Sequence, residues 1–162
     1  MSAVELRFVS VSQNDPLAAP LLAELAVEYA DRYGSTRERI LTWLQGYPAD
    51  EFAAPDGALL IGLSDEQPVT GGAFRRFDSE TAELKRVWTD RRFRRRGLAR
   101  ALLASLECEI AVRGYRRVYL TTGDRQPEAE ALYLSAGYTR LPQPLPAEGD
   151  VYPVAFEKTL PA

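Results

Sequence analysis

The stretch Glu83-Leu-Lys-Arg-Val-Trp-Thr-Asp-Arg-Arg-Phe-Arg-Arg-Arg-Gly-Leu-Ala-Arg-Ala-Leu-Leu, residues 83–103, decides how the rest of the chain is read. Its first part reads as a strand, and the part from Leu98 onward has the apolar spacing of an amphipathic helix. Between them lies an arginine-rich turn that contains one glycine, Gly97. A helix that opens directly out of such a turn leaves its first amides unpaired, beside the positive end of its dipole. This combination predicts a socket for a phosphate or pyrophosphate.

Working outward, residues 4–11 alternate in polarity and predict an opening strand. Asn14 or Asp15 caps a helix with Pro16 at its first position, and Leu21, Leu22, Leu25 and Tyr29 form its stripe up to Gly34. Ser35 with Glu38 reads as a capping box for a second helix, with Ile40, Leu41 and Leu44 on its apolar face. Strands over 58–63 and 69–77, in hairpin-like spacing, precede a strand over 82–89. A helix over 98–113 carries Leu98, Leu102, Leu106 and Ile110 on one stripe and ends at Gly114. A short strand over 118–122 follows. The last helix starts at Pro127, turns Ala129, Leu132, Tyr133 and Ala136 inward, and is closed by Gly137. Strands near 138–141 and 151–159 finish the chain, separated by the proline-rich loop 142–146.

The order is β-α-α-β-β-β-α-β-α-β-β. A helix crosses between the 82–89 and 118–122 strands, which predicts one parallel pair in a mixed, mostly antiparallel sheet. That is an α+β architecture, distinct from a TIM barrel or a doubly wound dinucleotide fold. No repeat or long linker divides the 162 residues, so one domain over residues 1–162 is expected.

Composition narrows the chemistry. The net charge of −3 gives no bulk attraction to nucleic acid or anionic membranes, so neither is expected as a partner. The chain has no histidine, which excludes Ser-His-Asp and Cys-His nucleophilic systems and histidine-based zinc sites. Its single cysteine, Cys108, excludes an internal disulfide and a cysteine-rich metal site. Within a predicted helix it reads as a packed thiol. No metal is expected. With no signal-like start and no apolar run of membrane-spanning length, the expected location is the cytoplasm. Neither Gly-x-x-x-x-Gly-Lys-Ser/Thr nor Gly-x-Gly-x-x-Gly occurs, which argues against nucleotide hydrolysis and dinucleotide binding.

Two segments together resemble the GCN5-related N-acetyltransferase (GNAT) family. Arg94-Arg-Arg-Gly97-Leu-Ala99 is similar to the family's Gln/Arg-x-x-Gly-x-Gly/Ala turn after its fourth strand. Gln126-Pro-Glu-Ala129-Glu-Ala-Leu132-Tyr133-Leu-Ser-Ala-Gly137-Tyr138 is similar to its late Ala-x-x-Leu-Tyr-x-x-x-Gly-Phe/Tyr signature. Arg91 and Arg95 stand where many members have Pro and Gly, and Gln126 where Asn is common. The resemblance implies the acyl-CoA N-acyltransferase fold: three layers, α/β/α, around a sheet of about seven strands with helices on both faces.

The resemblance also implies an activity, the transfer of the acetyl group of acetyl-CoA to an amine. The amides of residues 94–99 would cradle the pyrophosphate, with Gly97, Leu98 and Ala99 at the helix start and Gln126 at the start of the last helix. Arg94, Arg95, Arg96 and Arg100 are candidates for phosphate oxygens, since guanidinium makes charge-assisted forked bonds. Solvation of a loop is the ordinary alternative for any one of them. Backbone groups of Val87, Trp88 and Thr89 would pair with pantetheine and polarise the thioester carbonyl.

Tyr133 matches the family tyrosine that protonates the departing thiolate, although it also shares the face of a packed helix. Glu83 matches the position of an acidic base acting through water, or is a carboxylate paired with Lys85 or Arg86. It is read as lying on the same side of its strand as Lys85 and Val87. Glu28, Tyr29, Asp31, Arg32, Tyr33, Phe74, Arg76 and Tyr152 are candidates for the acceptor pocket. The expected partner is a small-molecule or amino-acid-like amine, and a homodimer is left open. A CoA-binding sensor without turnover, a peptide-directed acetyltransferase and a nucleic-acid module on residues 91–100 are the alternatives.

Overall fold

The computed structural model describes residues 6–124, 126–147 and 152–161. Seven strands form one sheet: β1 Arg7–Ser10, β2 Ala58–Ser64, β3 Gln67–Arg76, β4 Thr81–Thr89, β5 Arg117–Thr122, β6 Thr139–Arg140 and β7 Val154–Thr159. Their spatial order is β1-β2-β3-β4-β5-β7-β6. Every neighbouring pair is antiparallel except β4 and β5, which are parallel. Four helices complete the fold: α1 Ala19–Tyr33, α2 Arg37–Gln45, α3 Leu98–Val112 and α4 Pro127–Ser135. The α+β, three-layer reading holds. Parts of the outermost predicted strands, residues 4–5 and 151, lie outside the described residues.

Two apolar cores sit on opposite faces of the sheet. On one face Leu102, Leu103, Leu106 and Ile110 of α3 and Tyr133 of α4 pack with Phe74, Val118 and Phe156. On the other, Leu21 and Leu25 of α1 and Leu44 of α2 pack with Ile61, Ala73 and Trp88. Adjacent glycines in β3 let both layers come close. A Cβ on Gly71 would lie 2.9 Å from Leu21, and one on Gly72 would lie 3.1 Å from Leu106. A larger residue there would crowd the Leu21, Ile61 and Leu106 side chains and force them to repack.

Local signals shifted in a few places. Asp15 caps a short 3-10 turn, Pro16–Ala18, by accepting a bond from the Leu17 amide at 2.9 Å, and α1 continues from it. The cap of α2 is Thr36, not Ser35, and its hydroxyl accepts from the Arg39 amide at 3.2 Å. With the helix starting at Arg37, Glu38 sits too early to close a capping box with Ser35. Cys108 is exposed on α3 rather than packed.

The decisive irregularity is in β4. Ala73 pairs with Lys85 but Gly71 pairs with Trp88, so β4 carries one extra residue opposite Gly72. Arg86 takes up that slack in the left-handed region, at φ +62°. Such a bulge resets the alternation of side chains and bends the strand. Lys85 and Arg86 therefore both face α1 and α2, whereas Val87 turns to the α3 side against Gly72. This corrects the expectation that Glu83, Lys85 and Val87 share a face, which assumed an unbroken period of two.

Candidate active site

The parallel pairing of β4 and β5 is brief. It joins Thr81 to Arg117, Ala82 to Val118 and Glu83 to Tyr119, and then stops. Beyond Glu83, β4 remains paired with β3 as far as Thr89, while β5 remains paired with β7 as far as Thr122. The two strands thus part, and residues 84–89 of β4 face a cleft of about 900 Å³ whose other wall includes residues 120–123. The arginine-rich turn, the start of α3, and residues of α1 and α4 complete it.

The turn after β4 is built by its own side chains. Asp90 accepts bonds from the Arg92 amide at 2.8 Å and from the Arg92 guanidinium at 3.1 Å. The hydrogen bonds from Arg92 hold the Asp90 carboxyl below its usual range. They also fold the 3-10 turn Arg91–Phe93 back on the strand end. Arg95 and Gly97 are both left-handed, at φ +64° and +79°. Arg95 therefore adopts the conformation that glycine would favour, despite its side chain. Alternating the backbone in this way points successive amides toward one concavity. The amides of residues 96–100 have no protein partner among the described residues, and the first bond into α3 runs from the Ala101 amide to Gly97.

Three of the four candidate arginines line the cleft. Arg95 and Arg100 line the cleft, and Arg100 also reaches the Ser135 hydroxyl at 3.4 Å. Arg94 lines it as well but is ion-paired with Glu28 and Glu24 of α1. Arg96 lies over the Phe93 ring, 5.3 Å from its centroid, and is outside the cleft lining.

The far end of α1 closes over the opening. Arg32 pairs with Glu128 at the start of α4, and the Tyr33 hydroxyl accepts from Gln126 at 3.2 Å. That hydroxyl occupies the place a side chain at residue 123 would need, so Gly123 is the only residue type that fits there unaltered.

Tyr133 lies in the cleft wall, edge-on to Tyr138 at 5.6 Å and tilted against Phe156 at 5.7 Å. Its hydroxyl has no hydrogen-bond partner among the described residues. Burial, with a smaller contribution from Tyr29, pushes this phenol far above its ordinary pKa. Tyr29 is itself pushed up to about 12, chiefly by burial and next by Tyr152. Both phenols stay protonated through neutral pH.

Glu83 is buried and outside the cleft lining. Its carboxylate accepts from Arg75 at 2.9 Å and lies 3.6 Å from the Lys85 ammonium. Lys85 does line the cleft, and burial lowers its pKa against the opposing pull of Glu83.

Of the acceptor-side candidates, Glu28, Tyr29, Arg32, Tyr33 and Tyr152 border the cleft. Asp31 and Arg76 lie outside the lining, and Phe74 is a fully buried core residue against Tyr115. Lys85, Arg86 and Trp43 border the cleft and were missed. Only the unusual run Lys85-Arg86 in the middle of an apolar strand hinted at them. Among the described residues no group of three or more Cys, Asp or Glu could hold a metal, and no helix is long and apolar enough to cross a membrane.

The acetyltransferase (GNAT) family model matches residues 21–138, a span running from α1 to the residue after α4's closing glycine. The chain belongs to this family. It is accordingly an acyltransferase by descent, and its fold recurs widely. A GNAT-family acetyltransferase from Staphylococcus aureus superposes with a TM-score of 0.79 at 15% identity, covering 97% of this chain and 100% of that one. The PaiA N-acetyltransferase of Thermoplasma acidophilum, solved with coenzyme A, gives 0.73 at 15% identity over 96% and 99% of the two chains. A GNAT acetyltransferase from Elizabethkingia anophelis with acetyl-CoA bound gives 0.64 at 18% identity over 96% and 98%. No curated protein sequence matches the chain significantly.

The space around Gly97 gives a clean test of why glycine stands in the GNAT turn. A Cβ there would meet nothing within 4 Å, so the residue is required for its backbone angle alone. Gly97→Ala is expected to cost about 1–2 kcal/mol in urea unfolding, the usual penalty for a left-handed non-glycine residue. An unchanged midpoint would show that the turn relaxes freely.

Proposed function

We propose that residues 1–162 form a single acetyl-CoA-dependent N-acetyltransferase domain acting on a small or amino-acid-like amine, by direct transfer in a ternary complex. The observation that carries this reading is the parting of β4 from β5 beside a turn with five unpaired amides. A polar, diphosphate-bearing arm fits such a place. The amides of residues 96–100 match phosphate oxygens, with Gly97, Leu98 and Ala99 at their centre. Arg95 and Arg100 add forked charge, Arg94 and Arg96 lend theirs from the flanks, and Gln126 lies at the opposite rim. The free edge at Val87, Trp88 and Thr89 matches an amide-containing arm that pairs as a strand would. Two structural neighbours that carry coenzyme A or acetyl-CoA support the choice of cosubstrate.

On this reading a β4 amide stabilises negative charge that develops on the thioester carbonyl. Tyr133, kept protonated by burial, donates its phenolic proton toward the leaving sulfur. The acceptor must first lose a proton. An alkylamine with a lysine-like pKa is neutral in only about one molecule in a few thousand at pH 7. Glu83, set behind Lys85, receives that proton through water. The exposed position of Cys108 on α3, outside the cleft lining, accords with direct transfer rather than an acetyl-cysteine intermediate.

Acetyl-CoA consumption with a panel of amines tests the whole reading. Turnover supports it, whereas CoA binding with no turnover of any amine would mark a sensor. Two variants assign the roles. Tyr133→Phe is expected to lower kcat by about 100-fold or more while acetyl-CoA affinity holds. Glu83→Gln should lower kcat/KM most at neutral pH, with the deficit shrinking as pH approaches the acceptor's own pKa, where the amine supplies its neutral form unaided. An equal deficit at every pH would make Glu83 an anchor for Arg75 and Lys85 instead.

A further inference from the structure

Arg86 is a cation of the cleft that has no part in the proposed chemistry. Arg86, on the β4 bulge, lines the cleft beside Tyr29, Trp43, Lys85 and Tyr152. Its guanidinium is surrounded by aromatic faces, with the Tyr47, Trp43 and Phe52 centroids at 5.1, 5.7 and 5.7 Å. Among the described residues it makes one hydrogen bond, a long 3.4 Å contact from Nη2 to the Leu44 carbonyl. Its Nε is buried with no hydrogen-bond partner among the described residues.

No carboxylate pairs with Arg86 among the described residues, in contrast to the cations around it. Arg94 has Glu24 and Glu28, Arg32 has Glu128, and Arg75 and Lys85 share Glu83. A guanidinium does not deprotonate in a protein, and ring faces compensate only part of its lost hydration. A half-buried charge of this kind is costly unless an anion completes it. The residue is also held in a left-handed conformation that a non-glycine side chain adopts at some cost, so its placement is specific.

We infer that Arg86 is the receptor for a carboxylate on the acceptor, so that the substrates are free amino acids or compounds carrying the same amine-plus-carboxylate pair. This rests on the N-acetyltransferase reading above and names the substrate class for it. A carboxylate matches the forked donors of a guanidinium in its plane. One unneutralised guanidinium in an aromatic cage suits a monoanion, whereas a phosphate dianion would call for a second free cation. Arg86, Tyr29 and Tyr133 line the same cleft, and Tyr29 interacts electrostatically with both of the others. An anion seated on Arg86 therefore leaves a compact acceptor's amine in the same region as the catalytic phenol. Ile40, Trp43 and Tyr33 on the cleft lining offer apolar surface for the rest of the acceptor.

The test compares free α-amino acids with their matching α-carboxamides in acetyl-CoA turnover by the wild-type protein. The acids are expected to exceed the amides by about 100-fold or more in kcat/KM, the scale on which a site built for a polar group rejects an analogue lacking it. Arg86→Met should collapse that ratio toward one, mainly through KM, and Arg86→Lys should restore part of it. Calorimetry with N-acetyl amino acids against N-acetyl amino acid amides, in the presence of CoA, reads the same preference without catalysis and without a variant. Equal use of acids and amides, or turnover confined to amines without a carboxylate, overturns the receptor and leaves the transferase standing. Absence of both CoA binding and amine turnover overturns both.

Discussion

Everything in the site follows from how long two parallel strands stay together. β4 and β5 share three residue pairs, and then each keeps faith with its other neighbour, β3 on one side and β7 on the other. A sheet pays heavily for unpaired backbone inside a core, so such a gap persists only when both edges border solvent or a ligand. The extra residue in β4 opposite Gly72, at residues 86–87, bends the strand within the gap that starts after Glu83. The same bulge sends Val87 to one face and two successive cations, Lys85 and Arg86, to the other. One local irregularity thus furnishes the cleft with these two cations.

The charges around that cleft form a pattern, since nearly every cation with a structural task is neutralised. Arg94 ties the turn to α1, Arg32 ties the end of α1 to α4, and Arg75 and Lys85 flank Glu83. A separate network locks the far side: Lys158 bonds Glu107 and the Ala136 carbonyl, each at 2.9 Å, and Tyr138 bonds Glu107. Against this background Arg95, Arg100 and Arg86 stand out. The first two sit where the unpaired amides of the α3 start converge, and the third sits at the opposite, aromatic end. A ligand with phosphates at one end and an acceptor at the other fits that polarity.

Much of this was legible because it depends on local rules. The strand–turn–helix of residues 83–103 showed its period change and its glycine, and the resemblance of the turn and of residues 126–138 to one family foretold the sheet. What escaped depends on tertiary register. Nothing in Lys85-Arg86-Val87 announces that Arg86 will adopt a left-handed backbone, because arginine disfavours it and only pairing against Gly71 and Gly72 imposes it. The same blindness put Val87 on the wrong face and overlooked Lys85, Arg86 and Trp43. Phe74 looked like a pocket aromatic, yet β3 is central in the sheet and buries it. Ser35 lost the cap to Thr36 by one residue, a margin that hydroxyl chemistry alone does not resolve.

The central claim is that the gap between β4 and β5, with the turn beyond it, receives coenzyme A through the backbone. Hydrogen exchange measured with and without coenzyme A tests this most directly. The account predicts new protection at the outward-facing amides of residues 84–89 and at residues 96–100, with little change in β2 and β7. Protection elsewhere, or none in these two segments at saturating ligand, would contradict it.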